Sequence, residues 1–197
     1  MKISYILFSD NPYKEFSYRK IMDLMLNQIS GKNILIIGGC GFLGTNLARK
    51  IVGLNANVTI FSRIGKSKEN LKDIESKLNF MEGGLTNESD ISEAVKNKDY
   101  IFHFAWQNDL KKSMANPRED LMSDVLGILN LLEVCKKENP NVKIIFTSTP
   151  TVIGYTENLV KNENTRENPL SIYEANKLTA EKYLQVYYKN YKLKFCT

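Results

Sequence analysis

The stretch NILIIGGCGFLG, residues 33–44, joins a short apolar run to three evenly spaced glycines. Gly38, Gly41 and Gly44 follow the spacing G-x-x-G-x-x-G, after residues typical of a buried strand and before residues with helical periodicity. Glycines at such a junction permit a sharp turn and let backbone N–H groups at the start of the helix approach a phosphate. They can also serve the turn alone, so the elements around them must decide.

From Lys32 onward, short β-branched runs alternate with longer stretches whose apolar residues recur at helical spacing. This alternation predicts an α/β fold, a Rossmann-type doubly wound parallel sheet with helices on both faces. The predicted strands are Asn33–Ile37, Asn57–Ser62, Asn79–Gly83, Tyr100–Phe104, Val142–Ser148 and Leu193–Thr197. The required order of strand, glycine turn, helix and second strand therefore favours dinucleotide binding.

Amphipathic stripes mark the helices between these strands. Those predicted to be core are Leu43, Leu47, Ile51 and Leu54 in one helix, and Leu121, Val125, Ile128, Leu129 and Leu132 in another. A last helix is expected from about Ser171 to Tyr191, preceded by a polar surface loop from Tyr155 to Pro169.

Residues 1–31 do not fit the alternating scheme and are interpreted as an N-terminal extension. It contains a possible strand, Ile3 to Phe8, and a helical stretch, Phe16 to Ile29, which Gly31 ends. Residues 32–197 are predicted to form one Rossmann domain.

Composition favours a globular domain, with 43% hydrophobic and 25% charged residues among 197. No apolar run approaches the roughly 20 residues that span a bilayer, and no signal peptide is recognisable, so we expect a cytoplasmic protein with no membrane partner. Cys40, Cys135 and Cys196 have neither disulfide nor zinc spacing, and no metal site is expected. The net charge of +5 is scattered, which argues against nucleic-acid binding.

The end of the second predicted strand bears on the cofactor. NAD sites usually place a carboxylate there, but this sequence has Ser62 and Arg63, followed by Lys66 and Lys68. A guanidinium, a hydroxyl and nearby ammonium groups suit a 2′-phosphate, so the sequence favours NADP over NAD. The alternative is that these cations only cover a solvated surface.

Tyr173 and Lys177 form a Y-x-x-x-K pair within the last predicted helix. Residues four apart share a helix face, so the phenol and the ammonium are expected on one side. A free tyrosine has a pKa of about 10, and a cation within about 4–6 Å, joined by the positive nicotinamide ring, can lower it enough for the phenol to exchange a proton near neutral pH. The pair alone has low specificity and gains weight only from the neighbouring motifs.

The fifth predicted strand ends in hydroxyl residues, Thr147, Ser148 and Thr149. Open α/β folds place ligands at the carboxyl ends of their strands, so Thr149 is predicted to hydrogen-bond the substrate. The alternative is that it caps the following turn.

Taken together, these motifs resemble the extended short-chain dehydrogenase/reductases, and in particular the nucleotide-sugar epimerase and dehydratase family. The resemblance extends from Lys32 to the end of the chain. Further matches are His103-Phe104-Ala105 after the fourth strand, Asn168-Pro169 before Tyr173, and the helix from Asp124 to Glu133. His103, the only histidine, is expected to be a packed residue at a strand end.

The resemblance implies an NAD(P)-dependent nucleotide-sugar epimerase. Tyr173 would take a proton from a sugar hydroxyl while hydride passes to the nicotinamide and a 4-keto sugar forms transiently. Lys177 would hold the nicotinamide ribose and Thr149 would orient the hydroxyl. The implied cofactor-binding residues are Gly38, Gly41, Phe42, Leu43, Gly44, Ser62, Arg63, Lys66, Leu85, Phe104, Ala105, Tyr173 and Lys177.

Other readings stay open, namely an NADP-dependent reductase of 4-keto sugars and a truncated, non-catalytic dinucleotide-binding module. Dehydration is disfavoured because Pro150 and Thr151 replace the acids that family dehydratases place after the catalytic Thr. The expected substrate is a nucleoside-diphosphate sugar, and the family implies a homodimer through the helices that contain Leu121 and Leu178.

The sequence also departs from the family. Ile37 stands for a usual Thr, Gly84 for a common Asp and Asp124 for a usual Asn. Family members continue into a smaller C-terminal domain that binds the substrate, so the Rossmann domain is expected to be truncated before it.

Overall fold

A computed structural model describes residues 28–156, 162 and 164–197. The possible strand Ile3 to Phe8 and most of the helical stretch Phe16 to Ile29 lie outside the described residues. The described part forms a six-stranded sheet in the order β3-β2-β1-β4-β5-β6, with every pairing parallel. Its strands are β1 (Asn33–Ile37), β2 (Asn57–Ser62), β3 (Leu78–Glu82), β4 (Tyr100–His103), β5 (Lys143–Phe146) and β6 (Lys194–Cys196). This topology confirms the predicted Rossmann-type fold.

The helices connect successive strands. They are α1 (Phe42–Val52), α2 (Glu88–Val95), α3 (Leu110–Ala115), α4 (Pro117–Asp120), α5 (Leu126–Glu138) and α6 (Ile172–Tyr191). A π-helical segment, Leu121–Val125, joins α4 to α5, and 3-10 helices span Glu69–Lys77 and Pro150–Ile153. Helix α6 begins at a capping box between Ser171 and Glu174 and ends at Lys192 in the left-handed conformation. None of the described helices is both long and apolar enough to cross a membrane.

Strand β1 shows how the sheet is covered on both faces. Side chains alternate along a strand, so Ile34 and Ile36 pack with α1 and its neighbours, whereas Leu35 and Ile37 pack on the other face. The second face is covered by apolar residues of α2, α5 and α6, including Ile91, Ile128, Leu131, Ala180 and Leu184. Residues at the carboxyl ends of the strands therefore lie between the two helical layers.

The predicted core stripes are wrong at two leucines. Leu43 is 53% exposed and Leu121 is 49% exposed. Helix α1 instead packs through small residues, because Gly44 lies so close to the Gly39 backbone that Leu43 is turned away from the core. Leu121 lies in the π-helical segment, where the extra residue per turn shifts it off the stripe of Val125.

Strands β1 and β2 have the predicted boundaries, and the ends of the other four differ from the prediction by at most two residues. Phe104, Ser148 and Thr197 fall outside β4, β5 and β6. The first two leave the sheet where it ends, and they belong to the segments that line the crevice described next.

Candidate active site

The crevice lies where β1 and β4 run side by side. The chain leaves β1 towards α1 and leaves β4 towards α3, so the strand order reverses between them, at the place where open α/β folds bind ligands. The glycine turn and the segment after β4 are in direct contact there. The backbone N–H groups of Phe104 and Ala105 donate to the carbonyl of Ile37, at 2.9 and 3.1 Å.

The three glycines of the turn have different reasons to be glycine. Gly38 has φ +82°, and a Cβ on it would lie 2.6 Å from the backbone N of Ala105. A Cβ on Gly44 would lie 2.5 Å from the Cα of Gly39. Gly41 has φ −83°, is exposed, and would bring a Cβ only to 3.2 Å from the carbonyl oxygen of Gly38. Gly38 and Gly44 are thus required by the fold, whereas Gly41 leaves space on the crevice side.

The start of α1 suits an anion. Gly41 caps the helix without a side-chain hydrogen bond, and the first turn contains no acidic residue. The first N–H groups of a helix have no intrahelical acceptor and lie at the positive end of its dipole. Phe42 and Leu43 are exposed here, at 83% and 53%, in keeping with the position that the cofactor prediction gives them.

The residues after β2 combine buried and exposed polar groups. The Ser62 side chain is buried, and its hydroxyl has no hydrogen-bond partner among the described residues. Arg63 and Lys66 are exposed. Lys68 is not a free cation, because its Nζ lies 3.0 Å from a carboxylate oxygen of Glu82.

Glu82 is a residue that sequence reasoning missed. It ends β3, directly beside Ser62 in the sheet register. The acid absent from the end of β2 is thus replaced by one on the neighbouring strand. The sequence pattern predicted both strands but not their pairing, and it is the pairing that places Glu82 beside Ser62.

The segment after β3 is held by hydrogen bonds to side chains. The N–H of Gly84 donates to Asp90 at 2.9 Å, and the carbonyl of Leu85 accepts from the Asn130 amide at 3.0 Å. Asp90 therefore supplies a carboxylate next to Gly84, where the family commonly has an acid.

Lys177 is deeply placed. It is 3% exposed, its Nζ donates to the carbonyl of Thr147 at 2.6 Å, and it lies 4.0 and 4.6 Å from the ring centroids of Trp106 and Phe146. Burial lowers the pKa of Lys177 to about 8, and the negative charges of Asp124 and Glu181 oppose that shift. The ammonium therefore remains the main form at neutral pH.

Tyr173 is half-buried beside Lys177, but its electrostatics differ from the prediction. Burial is the main cause that raises its pKa, and the carboxylates of Asp124, Glu174 and Asp120 raise it further. A hydrogen bond with Thr149 acts in the opposite direction. A lowering of the Tyr173 pKa by Lys177 is not found in this cofactor-free structure, because burial and the three carboxylates dominate.

Thr149 shows the capping role that the sequence offered as the alternative, and its hydrogen bond to a substrate stays a prediction. It caps the 3-10 helix, since its Oγ1 accepts from the N–H of Thr151 at 3.3 Å. The same side chain also hydrogen-bonds Tyr173. Ser148 points to a different partner and donates to the carboxylate of Glu181.

Two buried carboxylates near α6 complete the arrangement. Asp120 accepts from Ser113 at 2.8 Å and from Asn176 at 2.9 Å. Asp124 accepts from the backbone N–H of Gln107, at 3.0 and 3.2 Å to its two oxygens. Burial raises the pKa of Asp124 to about 6. The sequence showed Asp124 only as a departure from the family, and no signal pointed to Asp120.

His103 is a packed residue, as expected. It is 1% exposed and lies against Trp106 and Phe146, and neither ring nitrogen has a partner among the described residues. Burial, followed by the positive charge of Lys177, lowers its pKa to about 3. The His103 ring is therefore uncharged at neutral pH and packs among the aromatic rings of the core.

The sheet order, the glycine turn at the switch point and the Tyr–Lys pair on α6 define a dinucleotide-binding Rossmann domain of the short-chain dehydrogenase/reductase type. The NAD dependent epimerase/dehydratase family matches residues 34–197, and the chain belongs to this family.

Relatives with solved structures support this assignment. The UDP-N-acetylglucosamine 4-epimerase from Methanobrevibacter ruminantium, solved with UDP-N-acetylmuramic acid, is 30% identical with a TM-score of 0.77, over 84% of this chain and 53% of that one. The UDP-glucose 4-epimerase of Thermus thermophilus, solved with NAD, is 28% identical with a TM-score of 0.74, over 83% of this chain and 53% of that one.

Among curated proteins, the CDP-paratose 2-epimerase of Salmonella typhi is 35% identical over 136 residues, which are 66% of this chain and 40% of that protein. The chain spans about half the length of the relatives it matches.

Proposed function

We propose that this chain is the dinucleotide-binding domain of an NAD(P)-dependent nucleotide-sugar epimerase that acts through a transient 4-keto sugar. The supporting observation is the contact between Tyr173 and Thr149, beside the buried ammonium of Lys177, at the same crevice as the glycine turn. Family membership supports the substrate class, since the relatives are named for nucleotide sugars.

The residues present fit a dinucleotide. The glycine turn and the start of α1 would hold the diphosphate, and the partnerless Ser62 hydroxyl offers a polar group for the adenosine ribose. Leu85 follows β3, and Phe104 and Ala105 follow β4, and these three residues would contact the cofactor from the carboxyl ends of those strands. When bound, NAD(P) supplies reversible hydride exchange with a sugar carbon.

Tyr173 is the proposed proton-exchanging group. Its raised pKa means that the phenol holds its proton at neutral pH in the ligand-free domain. In the reaction Tyr173 would act as the phenolate, which takes the proton of the sugar hydroxyl as the sugar is oxidised and, now a phenol, returns the same proton to the keto oxygen. Thr149 would orient that oxygen through its hydroxyl. Lys177 is fixed one helical turn away, where its ammonium adds positive charge and a donor for a ribose hydroxyl.

Replacing Tyr173 by Phe tests the proposal in the protein that contains this chain. We expect turnover of a nucleotide-sugar substrate to fall by about 10²–10⁴-fold while cofactor affinity is unchanged. Tyr188→Phe, an exposed tyrosine on the same helix, is the matched control. Unchanged turnover in the Tyr173 variant would refute the role.

The same assays separate the alternatives. Net consumption of NADPH with a 4-keto sugar identifies a reductase. Cofactor binding without turnover of any nucleotide sugar identifies a non-catalytic module.

We further propose that the cofactor preference is NADP over NAD. The supporting features are the partnerless Ser62 hydroxyl and the exposed Arg63 and Lys66. The Thermus relative was solved with NAD, so a direct titration is the test. We expect NADP to bind more tightly, and Arg63→Ala to weaken NADP by about tenfold with little change for NAD. Arg118→Ala is the control, and equal affinities for the two cofactors would overturn the preference.

A homodimer is proposed through the helices that contain Leu121 and Leu178. Leu121 and Met122 are about half exposed, at 49% and 51%, and form an apolar surface at the π-helical segment. Analytical ultracentrifugation should show a dimer that Leu121→Glu dissociates. The same change at the exposed Ile64, which lies on neither helix, serves as the control.

A further inference from the structure

A buried carboxylate lies beside the Tyr–Lys pair on an element that the proposed chemistry has not used. Asp124 is 5% exposed and lies in the π-helical segment between α4 and α5. Its direct partners are neutral, namely the backbone N–H of Gln107 and the hydroxyl of Ser123 at 3.2 Å. A buried carboxylate with only neutral donors is costly unless a cation lies nearby.

Lys177 is the buried cation that contacts the same segment, since its Nζ lies 4.0 Å from the Trp106 ring centroid and Asp124 accepts from the N–H of the next residue, Gln107. The Lys177 ammonium is 3% exposed and has no direct ion pair among the residues that the structure describes. Its contacts are a carbonyl oxygen and the faces of two aromatic rings. Of the carboxylates that favour its charge, Asp124 acts more strongly than Glu181, and Glu181 is also hydrogen-bonded by Ser148.

Other groups around this pair are accounted for. The other groups that interact electrostatically with Asp124, Lys177 or Tyr173 are His103 on β4, Asp120 on α4, and Glu174 and Glu181 on α6. His103 is neutral and Asp120 is bound by Ser113 and Asn176. Asp124 is therefore the carboxylate whose charge acts on both members of the Tyr–Lys pair.

Building on the proposed function, we propose that Asp124 is a positioning residue whose buried negative charge is the counter-charge of Lys177 and couples the ionisation of Lys177 to that of Tyr173. The carboxylate acts through Lys177 and Tyr173 and does not contact the substrate. It also anchors the segment after β4 through the N–H of Gln107.

The direction of the effect follows from the charges. A nearby negative charge favours the ammonium and disfavours the phenolate, so Asp124 raises the pKa of both Lys177 and Tyr173. Asp124→Asn keeps an oxygen that can accept from Gln107 and removes the charge. Both groups should therefore lose their protons at lower pH in that variant.

Trp106 offers a readout that needs neither cofactor nor substrate. It is the only tryptophan of the chain, and its ring centroid lies 4.0 Å from the Lys177 Nζ. Its fluorescence should change as Lys177 deprotonates, with a midpoint near the Lys177 pKa of about 8. Lys177→Met should abolish this transition, which assigns it.

The test compares midpoints in the cofactor-free chain. We expect Asp124→Asn to move the Trp106 midpoint to lower pH by about one pH unit or more. Asp73→Asn, an exposed carboxylate paired with Arg49, changes the net charge equally and should leave the midpoint in place. An unmoved midpoint in the Asp124 variant overturns the proposal, whether or not the protein turns over a sugar.

A second measurement avoids dependence on one variant. Carboxyl ¹³C NMR of the Asp124 side chain should show its titration near pH 6, moved to higher pH in Lys177→Met because the counter-charge is lost. If the Asp124 titration midpoint is the same in Lys177→Met as in the wild-type protein, the proposed coupling is overturned. In an active preparation, the pH profile of kcat/KM should move to lower pH in Asp124→Asn, which a purely structural role would not produce.

Discussion

The two walls of the crevice are built in different ways. The glycine turn, residues 38–44, is shaped by close backbone contacts, with the Gly38 position facing Ala105 and Gly44 facing Gly39. The opposite wall, which we call the charged corner, consists of Asp124, Thr149, Tyr173 and Lys177. It is shaped by buried charges and hydrogen bonds.

This contrast separates shape from electrostatics. Backbone contacts at Gly38 and Gly44 leave no room for a side chain, so these contacts stabilise the fold and shape the binding site at the same time. The charged corner offsets the cost of buried ions with hydrogen bonds and ring contacts, which makes its net contribution to stability small. Substitutions on the two walls should therefore differ most in their effect on unfolding.

The largest effect is expected at Gly38. Replacing it by Ala forces a side chain into φ +82° and places the Cβ 2.6 Å from the Ala105 nitrogen. We expect the free energy of unfolding to fall by about 2–4 kcal/mol, as measured by urea denaturation. A loss near zero would show that the segment after β4 can move away freely.

Gly41→Ala is the matched control in the same turn. Its φ of −83° is open to alanine, so the free energy of unfolding should change by less than about 1 kcal/mol. Cofactor affinity should nevertheless fall by about tenfold or more, because the Cβ occupies the approach to the first N–H groups of α1. Equal stability losses at both glycines would contradict the distinction between them.

The glycine turn and the sheet could be predicted from sequence because local rules determine them. The spacing of the three glycines and the alternation of strand and helix patterns suffice to predict a Rossmann-type parallel sheet with the turn after its first strand. The predicted core positions are wrong where contacts between elements decide which side chains are buried. Leu43 is exposed because Gly44 packs on Gly39. Leu121 is exposed because it lies in a π-helical segment, which no sequence pattern predicted.

The charged corner could be predicted only as a set of residues. Tyr173, Lys177 and Thr149 come together as expected, but the pKa of Tyr173 is raised where the spacing predicted a lowering. The cause is burial together with Asp120 and Asp124, which lie about 50 residues earlier in the chain. Spacing along one helix carries no information about charges that another helix brings to the site.

His103, whose pKa is lowered in part by Lys177 of the charged corner, should give a pH-dependent effect of intermediate size on the free energy of unfolding. Its pKa is about 3 in the folded chain, below the ordinary value of 6.5, so the unfolded chain binds its proton first as the pH falls. The associated stability is complete above pH 6.5 and is lost as the pH falls from 6.5 towards 3. The expected slope is up to about 1.4 kcal/mol per pH unit.

His103→Leu should remove that slope. Neither ring nitrogen has a partner among the described residues, so an apolar side chain of similar size orphans no hydrogen bond. Urea denaturation at pH 7, 6 and 5 should show that the free energy of unfolding of the wild-type protein falls with acid relative to that of the variant. The titration of carboxylates affects both proteins equally and cancels from the comparison. If the free energies of unfolding of the two proteins change in parallel with pH, the assignment of the slope to His103 is refuted.

The smallest effect on stability is expected at Lys177, although it is the most deeply buried cation of the corner. Lys177→Met loses the bond to the Thr147 carbonyl and the counter-charge of Asp124, but it also removes the cost of burying an ammonium between Trp106 and Phe146. Asp124 already has a pKa of about 6 and can take up a proton once the ammonium is gone, so it is not left as an uncompensated charge. Urea denaturation at pH 7 should therefore show a change in the free energy of unfolding below about 1 kcal/mol. A loss of about 3 kcal/mol or more would mean that the ammonium holds the fold together, and the two walls would then differ in chemistry but not in their role in stability. A near-neutral result combined with weakened cofactor binding would show that this charge is kept for function, unlike the glycines opposite, which the fold requires.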